Sequence, residues 1–145
     1  MRNLINLTPY RELKNGELSI YDNIDKNKVI PDKVILYLRL GNAHIMSPGI
    51  YKHPFRTNRT LLGPYIYTDG AYRWDRDTWK YVVKYGLILP DDFIEYVMSE
   101  KGTEFIERQI KSRNSWENTI EEMKKSPNGI CLLPDDAGEV SLDDF

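Results

Sequence analysis

The chain has little of the chemistry that marks secreted, metal-binding or membrane-spanning proteins. Its 145 residues include one cysteine and two histidines, too few for a disulfide framework or a convincing zinc site. It has no apolar run near the roughly 20 residues that span a bilayer, and its first residues lack the apolar core of a secretory signal. We therefore expect a cytoplasmic protein that holds no metal or other cofactor and contacts no membrane.

A basic excess is also missing. The 20 Lys and Arg residues are outnumbered by 22 Asp and Glu residues, which gives a net charge of −2. Proteins that hold nucleic acid usually show a clear excess of positive charge. We therefore expect no direct binding of nucleic acid.

The sequence has the composition of a single globular domain. Hydrophobic residues make up 41% and charged residues 29% of the chain, and its length is that of one domain. We predict one domain over residues 1–145. Within it we expect a loose N-terminal arm at about residues 1–29, where no hydrophobic period is sustained, and an acidic C-terminal tail at about residues 134–145.

Charge is distributed unevenly along the chain. Residues 1–64 contain ten Lys or Arg and five Asp or Glu, a net charge of +5, whereas residues 65–145 contain ten and 17, a net charge of −7. The last twenty residues contain no Lys or Arg but five acidic residues: Asp135, Asp136, Glu139, Asp143 and Asp144. Charge of one sign steers an oppositely charged partner, so these residues are candidates for docking a basic partner. The alternative is a solvated acidic end.

A β-hairpin is the clearest local structure in the sequence. Asp69-Gly70 lies between two aromatic-rich runs, at residues 65–68 and 71–74. Asp-Gly favours a type I′ turn, which needs positive φ at both central residues. We therefore predict a tight hairpin with Asp69 and Gly70 at its tip.

Helix start and stop signals occur at several positions in the sequence. Residues 33–40 favour a short buried helix over a strand, because Pro-Asp precedes the run and Gly follows it. Further helices are expected from Asp75, from Pro90, from Thr103 and, after a capping-box spacing, from Asn114. The predicted fold is a single α+β domain, with a small antiparallel sheet and a central hairpin packed on three to four helices.

The residues of one possible catalytic site are carboxylates. The sequence has no Gly-rich phosphate loop and no nucleophile elbow. A carboxylate site around Asp69, Asp75 and Asp77 would suit a small hydrolase, if two carboxyl groups faced one cleft with separated pKa values. Helix capping and turn formation are the alternative roles for these residues.

A second pattern extends over about half of the chain, from residue 47 to residue 97. It consists of Thr-Asp-Gly-x-x-x-Trp, then a Tyr-rich helix, then Leu-Pro-x-x-Phe, and its positions here are Thr68, Asp69, Gly70, Trp74, Tyr81, Tyr85, Leu89, Pro90 and Phe93. This pattern resembles that of small bacterial proteins, among them immunity proteins of polymorphic toxin systems, including contact-dependent growth inhibition. The motif residues are expected to have structural roles.

The resemblance implies a binding protein without enzymatic activity. Such a protein would neutralise a cognate toxin domain, expected to be a nuclease, by occluding its active site in the cytoplasm of the producing bacterium. Tyr72 and Trp74 would serve as aromatic anchors, and the acidic residues of the tail would steer the partner. The alternatives are a small carboxylate-dependent hydrolase and an adaptor protein without a toxin partner.

Overall fold

A computed structural model describes residues 3–56 and 58–124, with side chains described as far as residue 112. Its strands are β1 (Ile5–Asn6), β2 (Asn42–Met46), β3 (Ile50–Lys52), β4 (Thr60–Leu62), β5 (Tyr65–Thr68) and β6 (Tyr72–Asp75). Its α-helices are α1 (Asp32–Arg39), α2 (Thr78–Lys80), α3 (Asp91–Met98) and α4 (Glu100–Lys124). Short 3-10 helices span Arg11–Leu13 and Ile20–Asn23, and a π-helical turn spans Tyr81–Tyr85. The predicted α+β single domain is confirmed.

The sheet is mixed rather than wholly antiparallel as predicted. Strands β1, β6, β5 and β2 are hydrogen-bonded in that order, and the predicted hairpin, β5–β6, is central. Strand β1 pairs with β6 in parallel, whereas β5 pairs antiparallel with both of its neighbours. Strands β3 and β4 form a separate two-stranded sheet. The parallel pairing was not expected because β1 has only two residues and no strand signal in the sequence.

The turn of the central hairpin differs from the predicted type I′. The register pairs Thr68 with Arg73, which leaves four residues in the connection. Gly70 has a φ of 98°, but Asp69 is not among the residues with positive φ. The carboxylate of Asp69 instead closes the turn by accepting hydrogen bonds from the backbone N–H groups of Ala71 (2.8 Å) and Tyr72 (2.7 Å). Side-chain hydrogen bonding of this kind is what makes Asp a turn residue.

An aromatic core joins the sheet to the helices. Tyr37 of α1 lies with its ring centroid 6.0 Å from that of Trp74 on β6, 5.7 Å from Phe93 on α3 and 4.7 Å from Phe105 on α4. All four side chains are buried. Each aromatic pair adds about 0.5–1.5 kcal/mol beyond its buried area. The predicted helix at residues 33–40 is confirmed as α1, and it contributes the central residue of this core.

The N-terminal segment is not the loose arm predicted for residues 1–29. From residue 3 onward it packs on the domain and buries four apolar side chains, Leu7, Tyr10, Leu13 and Ile20. Its backbone is held by side chains: Asn15 donates to the carbonyl oxygen and to the hydroxyl of Thr8, at 3.0 Å each. The prediction was wrong because irregular turns bury isolated apolar residues without producing a hydrophobic period.

Two helix boundaries also differ from the prediction. Asp75 does not begin a helix but is the last residue of β6, and α2 begins at Thr78. The helices expected separately from Thr103 and Asn114 are one continuous helix, α4. Asp75 pairs with Ile66 of β5 in the sheet. This strand pairing outweighs the local preference of Asp for a helix N-cap.

We expect Gly70→Ala to lower the free energy of unfolding by about 1–2 kcal/mol, because an L-residue at positive φ is strained. No heavy atom lies within 4 Å of the added Cβ, so the loss would come from the backbone alone. Chemical denaturation measures it. Asn27→Ala, at an exposed position with ordinary φ, is the control and should change stability by less than about 0.5 kcal/mol. Equal stabilities of the two variants would contradict this account of the turn.

Candidate functional site

The Thr-Asp-Gly motif builds the hairpin turn. The hydroxyl of Thr68 donates to the carbonyl oxygen of Tyr72 at 2.7 Å and accepts from the N–H of Gly70 at 2.9 Å. The second carboxylate oxygen of Asp69 accepts a hydrogen bond from the hydroxyl of Tyr37. The motif therefore ties the turn to helix α1, and Asp69 is fully used in holding it.

The remaining motif residues lie in or beside the core. Leu89 and Phe93 are buried, and Pro90 stands at the N-cap of α3. Trp74, predicted as a partner contact, is fully buried and donates its indole N–H to the carbonyl oxygen of Leu38 at 2.9 Å. It cannot contact a partner in this structure, because the sheet buries one face of β6 against α1 and α3. Tyr72 and Trp74 lie on the same face of β6, and alternation along the strand does not show how far the helices cover each position.

Tyr72 is the predicted partner contact that reaches the surface. Its half-buried ring lies 5.0 Å from that of Phe93 and 5.5 Å from that of Tyr96. On α3, Asp92, Glu95 and Tyr96 share one helix face through their i, i+3 and i+4 spacing. Both carboxylates are exposed, and Tyr96 is half-buried. We call Tyr72, Asp92, Glu95 and Tyr96 the acidic–aromatic surface.

The electrostatics of this surface are negative. Burial, and after it the carboxylates of Asp92 and Asp69, raises the pKa of Tyr72 above its ordinary value of 10.0. Its hydroxyl therefore stays protonated at neutral pH and is able to donate a hydrogen bond. A half-buried tyrosine can anchor a protein interface, and exposed carboxylates beside it attract a partner with a basic surface.

The predicted carboxylate trio is divided by the fold. Asp69 lies at the hairpin turn, whereas Asp75 stands at the opposite end of β6 with Asp77 two residues beyond. The backbone N–H of Asp77 donates to the Asp75 carboxylate at 2.9 Å. The side chain of Asp77 lies 3.3 Å from the Lys80 ammonium and 3.8 Å from Nε of Arg76.

Asp75 belongs to a buried polar network that sequence reasoning missed. The hydroxyl of Tyr51 donates to its carboxylate at 3.4 Å, and the charges of Asp75 and Asp77 contribute to the raised pKa of Tyr81. Burial, followed by the charge of Asp77, raises the pKa of Asp75 from 3.8 to about 7. Burial is also the largest cause of the raised pKa values of both tyrosines.

The carboxylates of this network are buried in the described conformation. Asp75 is 1% exposed and Asp77 is 3% exposed, so neither carboxylate reaches a solvent-filled cleft. General acid–base catalysis requires the carboxyl group to lie within hydrogen-bond reach of the substrate. A strongly shifted pKa also occurs in structural polar networks, and burial favours that role here.

In the described part of the chain, no cluster of three or more His, Cys, Asp or Glu side chains could hold a metal ion. No helix among the described residues is long and apolar enough to cross a membrane. Comparison with family models, with curated proteins and with solved structures gave no match to this sequence.

Other predicted site residues lie outside the described residues. These are the five acidic residues of the tail, Asp135, Asp136, Glu139, Asp143 and Asp144. The sequence analysis did not identify Asp92, Glu95 and Tyr96 as residues of a candidate surface. Their helical spacing was a usable signal, but the neighbour that makes it a surface, Tyr72, comes from another element.

We expect the buried carboxyl of Asp75 to make stability depend on pH. The folded state binds its proton more tightly than the unfolded chain does, because the pKa rises from 3.8 to about 7 on folding. The stabilisation is therefore complete below about pH 4 and is lost as the pH rises through about 7, with an upper bound of about 4 kcal/mol.

Urea unfolding at pH 5 and pH 8 tests this expectation. Asp75→Asn removes the titrating group, so its stability should fall less between the two pH values than that of the original protein. The exposed Asp22→Asn is the matched control and should follow the original protein. Parallel pH profiles for Asp75→Asn and the original protein would show that Asp75 does not titrate in this range.

Proposed function

We propose that the chain is a non-enzymatic binding protein that acts like the immunity proteins it resembles. It would neutralise a cognate toxin domain in the cytoplasm by covering the toxin's active site. The observation that carries this proposal is the acidic–aromatic surface, where two half-buried tyrosines lie among exposed carboxylates.

The chemistry of the surface suits a basic nuclease domain. A nuclease binds the phosphate backbone of its nucleic acid substrate through Lys and Arg side chains. Exposed carboxylates on a partner protein compete with the phosphates for these side chains. Asp92 and Glu95 would accelerate encounter with such a groove, and Tyr72 and Tyr96 would supply contact area with little loss of side-chain entropy. The acidic residues 135–144 of the tail would add to the steering charge.

The hydrolase alternative has one observation in its favour and one against it. The raised pKa of Asp75 is a feature of many active sites. Its burial together with Asp77 leaves no route for a substrate in the described conformation. An adaptor without a toxin partner would use the same acidic–aromatic surface, so only the identity of the partner separates it from the immunity hypothesis.

The direct test is to express the chain together with the product of the gene immediately upstream. We expect the two proteins to co-purify. We also expect the upstream product to stop growth when it is expressed alone, and growth to resume when the chain is expressed with it. A metabolic enzyme encoded upstream, or a toxin that still kills in the presence of the chain, would contradict the proposal.

Variants of the surface test where the partner binds. We expect the double variant Asp92→Asn, Glu95→Gln to slow association several-fold at low salt, with a smaller effect as salt screens the charges over about 8 Å at physiological strength. Tyr72→Ala should raise the dissociation constant tenfold or more, since truncating a hot-spot residue costs about 2 kcal/mol.

The matched control neutralises two exposed acidic residues elsewhere, Glu17→Gln with Asp22→Asn. Asp22 is next to Tyr21, whose hydroxyl donates to the carbonyl oxygen of Pro54. Binding kinetics measured by surface plasmon resonance should be unchanged in this control. Equal losses in control and surface variants would mean that net charge, and not this surface, governs association.

A further inference from the structure

The outer face of the β3–β4 hairpin exposes apolar side chains. Tyr51 is buried and its cross-strand neighbour Leu61 packs against the core, so these two side chains form the inner face. Ile50 and Leu62 are also directly opposite each other, and they are 60% and 59% exposed. A directly opposed pair of exposed aliphatic side chains is a candidate for contact with another segment.

Two lysines flank this pair. Lys52 lies on the same face as Ile50, because side chains two residues apart on a strand point the same way. The ammonium of Lys14 lies 3.2 Å from the carbonyl oxygen of Ile50. Among the side chains that the structure describes, neither lysine forms a salt bridge. We call Lys14, Ile50, Lys52 and Leu62 the hairpin face.

The surrounding sequence leaves this face positive. No Asp or Glu occurs between Asp32 and Asp69, an interval that includes β2, β3 and β4. The hairpin face therefore combines two apolar side chains with two cations and has no acidic residue on its own strands. Its complement is a segment in which apolar side chains adjoin carboxylates.

We propose that the hairpin face binds the C-terminal segment of the same chain, residues 142–145. This segment is Leu-Asp-Asp-Phe, so two carboxylates, Asp143 and Asp144, stand between two apolar residues. Leu142 and Phe145 would cover Ile50 and Leu62, and the two carboxylates would pair with Lys14 and Lys52. Charge and apolar character match on both sides of the contact.

The connecting chain is long enough for this contact. Seventeen residues lie between Lys124, the last residue of α4, and Leu142, and an extended chain over this interval spans up to about 60 Å. A folded body of this size has a radius of gyration of about 14 Å. The extended connection is therefore about four times as long as this radius.

A weak contact is sufficient when both sides belong to one chain. Two sites on one chain meet at an effective concentration that reaches the millimolar range, so an interaction of about millimolar strength is substantially populated. The ionic part is exposed and weakens with salt. The contact would form without a toxin partner, so it does not rest on the proposed function. A basic partner would compete with the two lysines for the carboxylates of Asp143 and Asp144.

Paramagnetic relaxation measures the contact in the full-length chain. The single cysteine is removed by Cys131→Ser, and a nitroxide is attached after Ser141→Cys. We expect the amide signals of residues 50–52 and 60–62 to lose most of their intensity. Charge reversal by Lys14→Glu with Lys52→Glu should restore those signals, as should high salt.

A matched control and a charge swap complete the experiment. Lys26→Glu with Lys101→Glu reverses two other exposed lysines and should leave the signal loss unchanged. Adding Asp143→Lys and Asp144→Lys to the reversed hairpin face should bring the signal loss back. Undiminished hairpin signals, or a loss insensitive to charge reversal, would overturn the proposal. Signal loss in enriched chains without a label, after they are mixed with spin-labelled chains at natural isotope abundance, would assign the contact to a second copy and would also overturn it.

Discussion

The position of Tyr37 holds the layers of this domain together. Its ring contacts Trp74 on the sheet, Phe93 on α3 and Phe105 on α4, and its hydroxyl donates to Asp69 at the hairpin turn. One side chain thus links the central hairpin to three helices. Because the ring is fully buried and its hydroxyl is paired, the turn and the helix packing are constrained together.

This constraint also creates the acidic–aromatic surface. Packing of α3 on the hairpin brings Tyr72 beside Tyr96, and the same helix face carries Asp92 and Glu95. The hairpin face of β3–β4 has the opposite charge, with Lys14 and Lys52 beside two exposed aliphatic residues. The domain therefore presents two chemically distinct surfaces, one suited to basic and one to acidic partners.

The buried polar network around Asp75 links the β3–β4 hairpin to the central strand β6. Tyr51 belongs to the β3–β4 hairpin, Asp75 ends the central strand, and Tyr81 lies in the π-helical turn. A protonated carboxyl can be buried at a lower cost than a charged one, which is why the pKa of Asp75 rises. Asp75 joins β6 to β3 through its hydrogen bond with Tyr51.

The sequence by itself determined the α+β class, the central hairpin and helix α1, because each depends on signals among neighbouring residues. Turn chemistry at Asp69-Gly70 and the Pro-Asp helix start are of this kind. Only the tertiary structure decided that Trp74 is buried while Tyr72 reaches the surface, and that Asp69 and Asp75 are separated. It also decided that the N-terminal segment packs on the domain. Strand alternation places Tyr72 and Trp74 on the same face of β6, and how far each of them is covered depends on helices distant in sequence.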